Sequence, residues 1–502
     1  MKDSMKKKRW LIYGAMTMYV IVLFLLLAFF FVVIWLLTSW ASLSYDEIIF
    51  HLKVPLDGAN PGMVASAIIW YALPAIVLTG AAIVMVIVLR KREKTRRILI
   101  AISLTAAMVL GGYGAFWLQY KTDFFGSLVG DVGNSDNSTF IEDHYVDPAE
   151  IELVFPQKKR NLIYIYLESM EMTYSSRENG GAFENDLIPG LTELARNYEN
   201  FAGTEPVLNG AVSLPGTDWT MGAMFAQTAG IPLKIALRGD VMTEDDVFFP
   251  TVRTLGDILH DNGYRQVLAI GSDAAFGGRK MYFSLHGNYE IHDYFYDIEQ
   301  ERIADDYYVW WGIEDEKLFA YAREELTRLA AQEQPFNYTM LTADTHFEDG
   351  YVCRLCEDTY GEDQYANVIA CSDRQVTEFV KWIQKQDFYE NTTIVLCGDH
   401  NTMDSDFCAE VPEDYLRKTY TVIINGAPEG ETEDKDIRQF ATIDMFPTTL
   451  AALGVQIPGN HLGMGVNLFS DENTLLEQYG YPHCAEEFHR SSQFLESLSE
   501  KK

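Results

Sequence analysis

The sequence predicts an α/β protein in two parts: N-terminal transmembrane helices, then an extracytoplasmic domain with a mostly parallel sheet sandwiched by helices. Two observations support this prediction. Three long uncharged segments lie within residues 1–118, and from residue 160 short apolar runs alternate with segments of helical periodicity. Such alternation is typical of parallel sheets covered by helices on both faces. A chain of 502 residues is long enough to hold both parts.

Residues 11–38, 63–89 and 98–118 are each apolar and long enough to cross a membrane as a helix. The first segment holds 28 residues without a formal charge. At about 1.5 Å per residue it exceeds the roughly 30 Å hydrocarbon layer of a bilayer. A cleaved signal peptide would have a shorter apolar run that ends at small residues. We therefore predict a membrane anchor of three helices over residues 1–118.

Basic residues predict the orientation of this anchor. Five of them precede the first span and six lie between the second and third, whereas residues 39–62 contain only Lys53. The positive-inside rule then places the amino terminus and residues 90–97 in the cytoplasm. Everything after about Leu118 follows outside, so we predict a multi-pass protein of the cell membrane with an extracytoplasmic domain.

The part of the chain after residue 118 is strongly acidic. The whole chain has a formal net charge of -33, and this part carries 27 basic and 67 acidic residues. The charge excludes a general nucleic-acid binder, which needs a basic surface. A content of 48% hydrophobic and 13% aromatic residues excludes a disordered acidic chain. We interpret the acidic surface as solvated and self-repelling; a domain that works among cations near an anionic surface is the alternative.

All six cysteines follow the anchor: Cys353, Cys356, Cys371, Cys397, Cys408 and Cys484. An even number of cysteines in an exported domain permits disulfides. The Cys353-x-x-Cys356 spacing also occurs in zinc sites, but a second such pair or a histidine pair at the usual spacing is missing. We predict a disulfide between this pair and Cys371, with free thiols as the alternative.

Residues 119–159 have the composition of a connector, rich in Gly, Asp, Asn and Ser near its start. Beyond it, five apolar runs too short for helices predict buried strands. These runs are 162–167, 266–270, 336–341, 393–397 and 420–424. Apolar residues at three- and four-residue spacing predict helices over 188–198, 251–262, 314–333 and 373–385. We expect residues 160–502 to form one domain.

Polar residues that can carry chemistry follow four of these strands. They are Glu168, Asp273, the pair Asp344 and His346, and the pair Asp399 and His400. Ligands bind beyond the carboxyl ends of strands in open parallel sheets. Because these ends meet at one edge, we expect the side chains to lie close together.

Glu168, Asp399 and His400 have the chemistry of a metal site. Two carboxylates and an imidazole suit Mn²⁺, Zn²⁺ or Mg²⁺. A structural zinc site is disfavoured because thiolates are missing there, and a catalytic ion needs an open coordination position. The alternative is that Asp399 caps a helix and His400 is a buried histidine with satisfied hydrogen bonds.

A hydroxyl nucleophile is predicted in residues 210–232. A Pro-Gly turn leads into Thr217, and helical periodicity follows over residues 219–228. The N–H groups and dipole at a helix start favour a phosphate anion and a developing alkoxide. On local sequence alone, Thr217 is more often only a helix cap. Thr220 is the rival hydroxyl.

At these residues the sequence resembles the membrane-bound phosphoglycerol transferases of the alkaline phosphatase and sulfatase superfamily. That group includes lipoteichoic acid synthases and enzymes that place phosphoglycerol on periplasmic glucans. Similarity covers roughly residues 160–470. The motifs that carry it are Leu167-Glu168-Ser169, Pro215-Gly216-Thr217-Asp218-Trp219-Thr220, Ala343-Asp344-Thr345-His346 and Gly398-Asp399-His400.

The resemblance implies a sulfatase-like catalytic domain over residues 160–502 and a specific set of site residues. The implied ligands of a divalent ion, usually Mn²⁺, are Glu168, Thr217, Asp399 and His400. Thr217 matches the nucleophile, and His346 matches a histidine near the transferred phosphate. Asp273 and Arg279 fall where the family binds the glycerol phosphate head group, although this stretch is one residue shorter here.

The implied reaction transfers phosphoglycerol from phosphatidylglycerol, through a covalent phospho-threonine intermediate, to an envelope glycan or a glycerol-phosphate chain. The same site would serve a phosphoethanolamine transferase or an extracytoplasmic phosphodiesterase. A non-enzymatic surface protein with a decayed site is the third interpretation. Sulfate ester hydrolysis is disfavoured because the Cys/Ser-x-Pro-x-Arg motif of sulfatases is missing.

Overall fold

The computed structural model describes residues 2–40, 43–54, 58–133, 137–235, 248–404, 406–428 and 437–499. The chain divides into two compact units. The first comprises Met1–Tyr45 and Ala59–Gly126, and the second comprises Asp46–Gly58 and Ser127–Lys502. Residues 46–58, which lie between the first two apolar segments, therefore belong to the second unit.

The first unit is helical, and three of its helical stretches are long and apolar enough to cross a membrane. These stretches are Trp10–Ser39, Pro61–Lys91 and Glu93–Thr122, which confirms the three predicted apolar helices. The helices of this unit are Lys2–Ser39, Pro61–Ala67, Ile68–Ala72, Leu73–Val88, Leu89–Lys91 and Glu93–Thr122. The helix Tyr45–Lys53 begins in this unit, and Phe124–Gly133 begins near its end.

Small residues let two of these helices approach each other closely. Gly111 lies against Leu26, since a Cβ at Gly111 would stand 3.3 Å from Leu26 Cδ2. Gly114 lies against Phe30 in the same way. Close approach at small residues is a common mode of helix packing where lipid surrounds the helices.

The second unit is built on a seven-stranded mixed sheet. Its strands are β1 Asn161–Leu167, β2 Gly210–Ala211, β3 Arg265–Ile270, β4 Glu290–His292, β5 Phe336–Leu341, β6 Thr392–Gly398 and β7 Thr419–Ile424. They lie in the order β2-β7-β6-β1-β5-β3-β4. Strands β6, β1, β5, β3 and β4 are parallel, β7 is antiparallel to β6, and β2 is antiparallel to β7. A separate antiparallel pair is formed by β8 His461–Leu462 and β9 Gly465–Val466.

All five strands predicted from apolar runs are present, as β1, β3, β5, β6 and β7. The central strand β1 is buried on both faces, from Leu162 to Leu167. A strand covered on both faces needs a continuous apolar run rather than an alternating pattern, so such runs predict buried strands.

Helices cover the sheet, and most agree with the predicted segments. The main helices are Pro189–Asn197, Thr220–Ala229, Leu255–Asp261, Arg279–Leu285, Tyr294–Glu299, Asp315–Ala330, Gln364–Ile383 and Met445–Ala452. Shorter or terminal ones are Phe140–His144, Leu475–Tyr479, Tyr481–His489 and Gln493–Ser499.

The helix predicted over 373–385 begins earlier in the structure. The observed helix starts at Gln364, after the cap residue Asp363, whose side chain accepts a hydrogen bond from Ala366 N at 3.0 Å. An aspartate in this position satisfies one of the free N–H groups of the first turn.

Candidate active site

The register of the central strands brings two carboxylates together. Leu167 at the end of β1 pairs with Gly398 at the end of β6, and Glu168 and Asp399 are the next residues of each strand. Ser169 N donates to Asp399 Oδ1 at 2.8 Å, and Asp399 N donates to Leu167 O at 3.2 Å. The parallel sheet therefore fixes both acidic side chains at its carboxyl edge, as the sequence predicted.

Glu168, Asp399 and His400 form a buried cluster. Their relative exposures are 3%, 0% and 2%, and one ligand atom from each lies within 4.8 Å of the others. His400 Nε2 stands 3.5 Å from Glu168 Oε1 and 3.4 Å from Asp399 Oδ2. The other ring nitrogen, Nδ1, donates to Asn401 O at 2.8 Å. This bond orients Nε2 towards the carboxylates, as is usual for metal-binding histidines.

The cluster fits a divalent cation. Asp399 Oδ2 is buried and accepts no hydrogen bond within the described part of the chain. Burial and the charge of Glu168 raise the pKa of Asp399 to about 7. Burial opposes protonation of His400, but the charges of Asp399 and Glu168 raise its pKa to about 9. Two buried carboxylates thus attract positive charge, and an ion with oxygen and nitrogen ligands would satisfy the free oxygen.

Thr217, which the sequence analysis predicts to be a metal ligand and the nucleophile, has its hydroxyl hydrogen-bonded to Leu214 and Thr442. Thr217 Oγ1 donates to Leu214 O at 2.9 Å and accepts hydrogen bonds from Leu214 N at 2.9 Å and Thr442 Oγ1 at 3.0 Å. Thr217 is fully buried. Its hydroxyl closes the turn before the helix, so its hydrogen-bonding capacity is used within the fold.

Thr220 takes the position that the sequence assigned to Thr217. Its Oγ1 lies 3.3 Å from His400 Nε2 and donates to Glu168 Oε2 at 3.5 Å. Thr220 is the first residue of the helix Thr220–Ala229, and the preceding Trp219 makes no side-chain cap hydrogen bond. Free N–H groups of the first turn therefore stand beside the hydroxyl, as suits an anion.

His346 lies near the cluster with one ring nitrogen committed. Its Nδ1 donates to Phe347 O at 2.7 Å, and its ring packs against Trp311 with centroids 4.7 Å apart. Burial lowers the pKa of His346 to about 4, with smaller contributions that include the charges of His400 and Asp399. The imidazole is therefore neutral near pH 7, and Nε2 is a hydrogen-bond acceptor.

Asp344, which precedes His346 by two residues, has a structural role. Its backbone N donates to Asp315 Oδ2 at 3.1 Å, and Asp315 N donates to Asp344 Oδ1 at 3.2 Å. Ala343 N also donates to Asp315, at 2.7 Å. Burial and the charge of Asp315 raise the pKa of Asp344 well above its usual range. This pair holds the start of the loop that carries His346.

Arg279 supplies a buried positive charge. It is 7% exposed, and it donates from Nε to Phe276 O at 3.0 Å and from Nη2 to Asp273 O at 3.3 Å. Burial lowers the pKa of Arg279 to about 10, against the charges of Glu168, Asp273 and Asp399. Arg279 therefore stays charged at neutral pH and acts on the same region as the cluster. Asp273 Oδ1 accepts from Ala275 N at 2.8 Å, which fixes the turn between them.

A comparison with known families assigns the second unit. A family model described as Sulfatase matches residues 160–455, more than half of the chain. The chain belongs to the Sulfatase family. The matched residues include the β1 and β6 ends and the helix that starts at Thr220, so they contain the cluster described above.

Relatives of this Sulfatase-family chain have a common name. This chain is 29% identical over 437 residues to phosphoglycerol transferase I of Salmonella choleraesuis (strain SC-B67), and the alignment covers 85% of this chain and 53% of that protein. This chain is also 30% identical over 338 residues to phosphoglycerol transferase I of Escherichia coli (strain 55989 / EAEC), and that alignment covers 66% of this chain and 41% of that protein. The chain thus spans about half the length of the relatives it matches.

Solved structures with a similar fold are more distant. The lipoteichoic acid synthase LtaP from Listeria monocytogenes is 15% identical, with a TM-score of 0.46 over 66% of this chain and 80% of that one. The lipooligosaccharide phosphoethanolamine transferase EptA from Neisseria meningitidis is 14% identical, with a TM-score of 0.46 over 83% and 81%.

Residues 46–54 and Gly58 of this Sulfatase-family chain lie in the same region of the second unit, which the sequence did not predict. Phe50 packs on Trp219 with ring centroids 5.8 Å apart, and His51 stacks on Phe276 at 6.0 Å. Gly58 is so close to Asp273 that a Cβ on it would stand 2.7 Å from Asp273 Cβ. Burial and the charge of Arg279 lower the pKa of His51 to about 4.

The only sequence signal for this segment is its composition. Between two apolar spans, the helix Tyr45–Lys53 carries acidic residues in its first turn and apolar residues at helical spacing. Glu47, Ile49 and Phe50 are buried, and Lys234 binds Asp46 at 3.2 Å. An amphipathic helix of this length needs a surface to cover, but the sequence does not say which.

Two further polar groups beside Thr220 were also missed. Asp218 Oδ1 and Trp219 Nε1 are buried, and neither has a hydrogen-bond partner among the described residues. Burial raises the pKa of Asp218 to about 7, with a contribution from Asp46. Buried polar atoms without partners are rare, so two of them directly before Thr220 are typical of a site that binds a polar ligand.

Proposed function

We propose that this chain is a membrane-anchored phosphotransferase that moves phosphoglycerol from phosphatidylglycerol to a hydroxyl group of an envelope glycan or glycerol-phosphate chain. The observation that carries the proposal is the position of Thr220 Oγ1, 3.3 Å from His400 Nε2 and 3.5 Å from Glu168 Oε2 at a helix start. The names of the relatives at 29% and 30% identity support the transferred group.

Thr220 is the proposed nucleophile. Its oxygen forms a bond to phosphorus of the donor, and the bond from phosphorus to the diacylglycerol oxygen breaks. Diacylglycerol leaves with the proton that Thr220 loses, and phosphoglycerol stays on the threonine. An acceptor hydroxyl then attacks phosphorus, releases Thr220 and leaves its own proton on the threonine oxygen. The free N–H groups of the first helical turn stabilise charge on the phosphoryl oxygens.

Glu168, Asp399 and His400 are the proposed ligands of a divalent ion, with Mn²⁺ as the expected metal. When bound, such an ion lowers the pKa of a nearby hydroxyl and neutralises phosphoryl charge. The three side chains that would hold the ion are buried, and the Ser169 and Asn401 hydrogen bonds hold Asp399 and His400 in place.

Arg279 and Asp273 are proposed to bind the head group. The charged guanidinium suits a phosphoryl oxygen, and the Asp273 carboxylate suits glycerol hydroxyls. His346 has a different proposed role from the phosphate contact implied by the resemblance. Because its Nδ1 donates to Phe347 O, its neutral Nε2 accepts a hydrogen bond and suits the acceptor hydroxyl better than an anion.

The three apolar helices are proposed to cross the membrane, with the Sulfatase-like unit on the outer side. The lysine and arginine clusters before residue 10 and in residues 90–97 favour the cytoplasm. A phospholipid donor does not diffuse far from the bilayer, so an anchored enzyme meets it at high local concentration.

The proposed reaction is tested with the full-length protein, Mn²⁺ and phosphatidylglycerol. We expect diacylglycerol to form in the parent protein, to disappear on chelation of the metal, and to be absent in Thr220→Ala. Phosphatidylethanolamine as the alternative donor tests the phosphoethanolamine interpretation. Diacylglycerol release from phosphatidylethanolamine alone would overturn the phosphoglycerol assignment, and release by Thr220→Ala at the parent rate would overturn the nucleophile.

A further inference from the structure

Three cysteines converge outside the active site. Cys353 and Cys356 lie in the loop after β5, and Cys371 lies in the helix Gln364–Ile383. The Sγ atoms of Cys353 and Cys356 are 3.7 Å apart, and those of Cys353 and Cys371 are also 3.7 Å apart. All three sulfurs lie within 4.8 Å of one another.

The predicted disulfide within this group is not formed. All six cysteines of the chain are free thiols, and a sulfur–sulfur bond is only about 2.05 Å long. The distances match a different arrangement. Four sulfurs around a tetrahedral ion at about 2.3 Å lie about 3.8 Å from each other. Two edges of the cysteine triangle have nearly this length.

The three sulfurs are largely buried, and one amide donor lies beside them. Cys353 and Cys371 are 5% and 2% exposed, and Cys356 is partly exposed. Gln375 Nε2 points at two of the sulfurs, 3.5 Å from Cys371 Sγ and 3.8 Å from Cys353 Sγ. An N–H donor to a metal-bound sulfur is a common outer contact of thiolate sites. Cys356 N donates to Cys353 O at 3.1 Å, and this turn keeps both sulfurs on one side of the loop.

We propose that Cys353, Cys356 and Cys371 bind one soft metal ion, Zn²⁺ or Cu⁺, at a site separate from Glu168, Asp399 and His400. Thiolates select these ions over Mn²⁺ and Mg²⁺, which prefer oxygen ligands. Within the described residues the group contributes three sulfurs, and a water at the partly exposed Cys356 is the proposed further ligand.

The ion would connect the loop that carries His346 to the helix Gln364–Ile383. The loop starts at the Asp315–Asp344 pair and reaches Cys353 nine residues after Asp344. Tyr351 N donates to Asp344 O at 2.7 Å within the loop, and two side chains of the helix already donate to it, Tyr365 Oη to Thr345 O at 2.8 Å and Gln364 Nε2 to Gly350 O at 3.2 Å. The ion would add one more connection to these hydrogen bonds, so the role we propose for it is structural and outside the reaction.

Co²⁺ is the probe that separates this site from the oxygen-rich one. Thiolate ligands give Co²⁺ intense charge-transfer absorption in the near ultraviolet, whereas carboxylate and imidazole ligands do not. We expect this absorption in the full-length protein, its retention in His400→Ala, and its loss in Cys371→Ser. Cys484→Ser is the matched control, because Cys484 is also buried but lies outside the group.

Cys356→Ser is the second thiol variant, since Cys356 is partly exposed and its loss disturbs the core least. Metal analysis of protein loaded with Zn²⁺ or with Cu⁺, against chelators selective for each, identifies the preferred ion. Two results would overturn the proposal. One is an intact mass two hydrogens lower, which shows a disulfide. The other is the absence of thiolate absorption in the parent protein, with the three thiols equally open to alkylation with and without metal.

Discussion

At the scale of single residues, the candidate site depends on which threonine faces the carboxylates. Thr217 and Thr220 are one helical turn apart, and both lie beside a turn rich in small residues. The hydroxyl of Thr217 is used by Leu214 and Thr442, whereas that of Thr220 points at Glu168 and His400. Only Asp218 and Trp219 thus separate a structural hydroxyl from the proposed reactive one.

Replacing the two threonines is expected to have opposite effects on stability and on activity. Thr217→Ala leaves Leu214 N and Thr442 Oγ1 without their partner, so we expect a loss of about 1–3 kcal/mol in the free energy of unfolding with activity retained. Thr220→Ala should keep the apparent Tm within a few degrees and lose diacylglycerol release. Thermal unfolding and the lipid assay on both variants measure this. Activity lost in Thr217→Ala at unchanged stability would return the nucleophile to Thr217.

Residue types at strand ends could be predicted, but hydroxyl orientation could not. Glu168, Asp399 and His400 follow apolar runs directly, so the parallel sheet alone brings them to one edge. The position of Thr217 depends on a Pro-Gly turn and on Thr442, more than two hundred residues further along the chain. A contact of that range leaves no signal in the local sequence.

At the scale of elements, residues 46–58 form part of the second unit although they lie between two apolar helices in sequence. Their contacts with Trp219, Phe276 and Asp273 place them next to the proposed nucleophile and head-group residues. The sequence could not assign the segment to the second unit, because the pattern of a short loop between two spans does not indicate which surface it packs against.

Gly58 tests the contribution of this segment. Gly58→Ala puts a methyl 2.7 Å from Asp273 Cβ at a φ of +81°. Gly263 has a φ of +80° with nothing within 4 Å of a Cβ, so Gly263→Ala is a matched control for backbone strain. We expect Gly263→Ala to lose about 1–2 kcal/mol of stability from the backbone conformation alone. Gly58→Ala should lose more because of the added close contact, and only Gly58→Ala should lower turnover of phosphatidylglycerol. Equal turnover in the two variants would separate the segment from the site.

His51 adds a pH dependence to the stability of this element. Because burial and Arg279 lower its folded pKa from about 6.5 to about 4, the folded state resists protonation. The stability that neutral His51 contributes is complete above pH 6.5 and is lost as the pH falls towards 4. We expect the apparent Tm of the parent to drop more between pH 7 and 5 than that of His51→Gln. His260→Gln, at an exposed position, is the control; parallel curves for parent and His51→Gln would contradict this.

Strand prediction succeeded where burial was complete and failed at the sheet edges. The runs behind β1, β3, β5, β6 and β7 are continuous and apolar. Strands β2 and β4 have only two and three residues, too short for any periodicity. The antiparallel direction of β7 also had no sequence signal, since the same apolar run would suit either direction.

At the scale of the whole molecule, the distribution of charge predicts which ends face which side of the membrane. We expect a reporter that is active only outside the cytoplasm to work when fused after residue 499 and to fail when fused within residues 90–97. A reporter active only inside should give the reverse pattern. The same pattern at both fusion points would contradict three spans with the basic clusters inside.

The central claim is that Thr220 carries the transferred group. The most direct measurement is mass spectrometry of the full-length protein trapped with Mn²⁺ and phosphatidylglycerol, followed by fragmentation to locate the adduct. We predict an added mass of one phosphoglycerol group on Thr220 in the parent and in Thr217→Ala, and none in Thr220→Ala. An adduct on Thr217 or on any other residue, or lipid turnover by Thr220→Ala, would contradict the account.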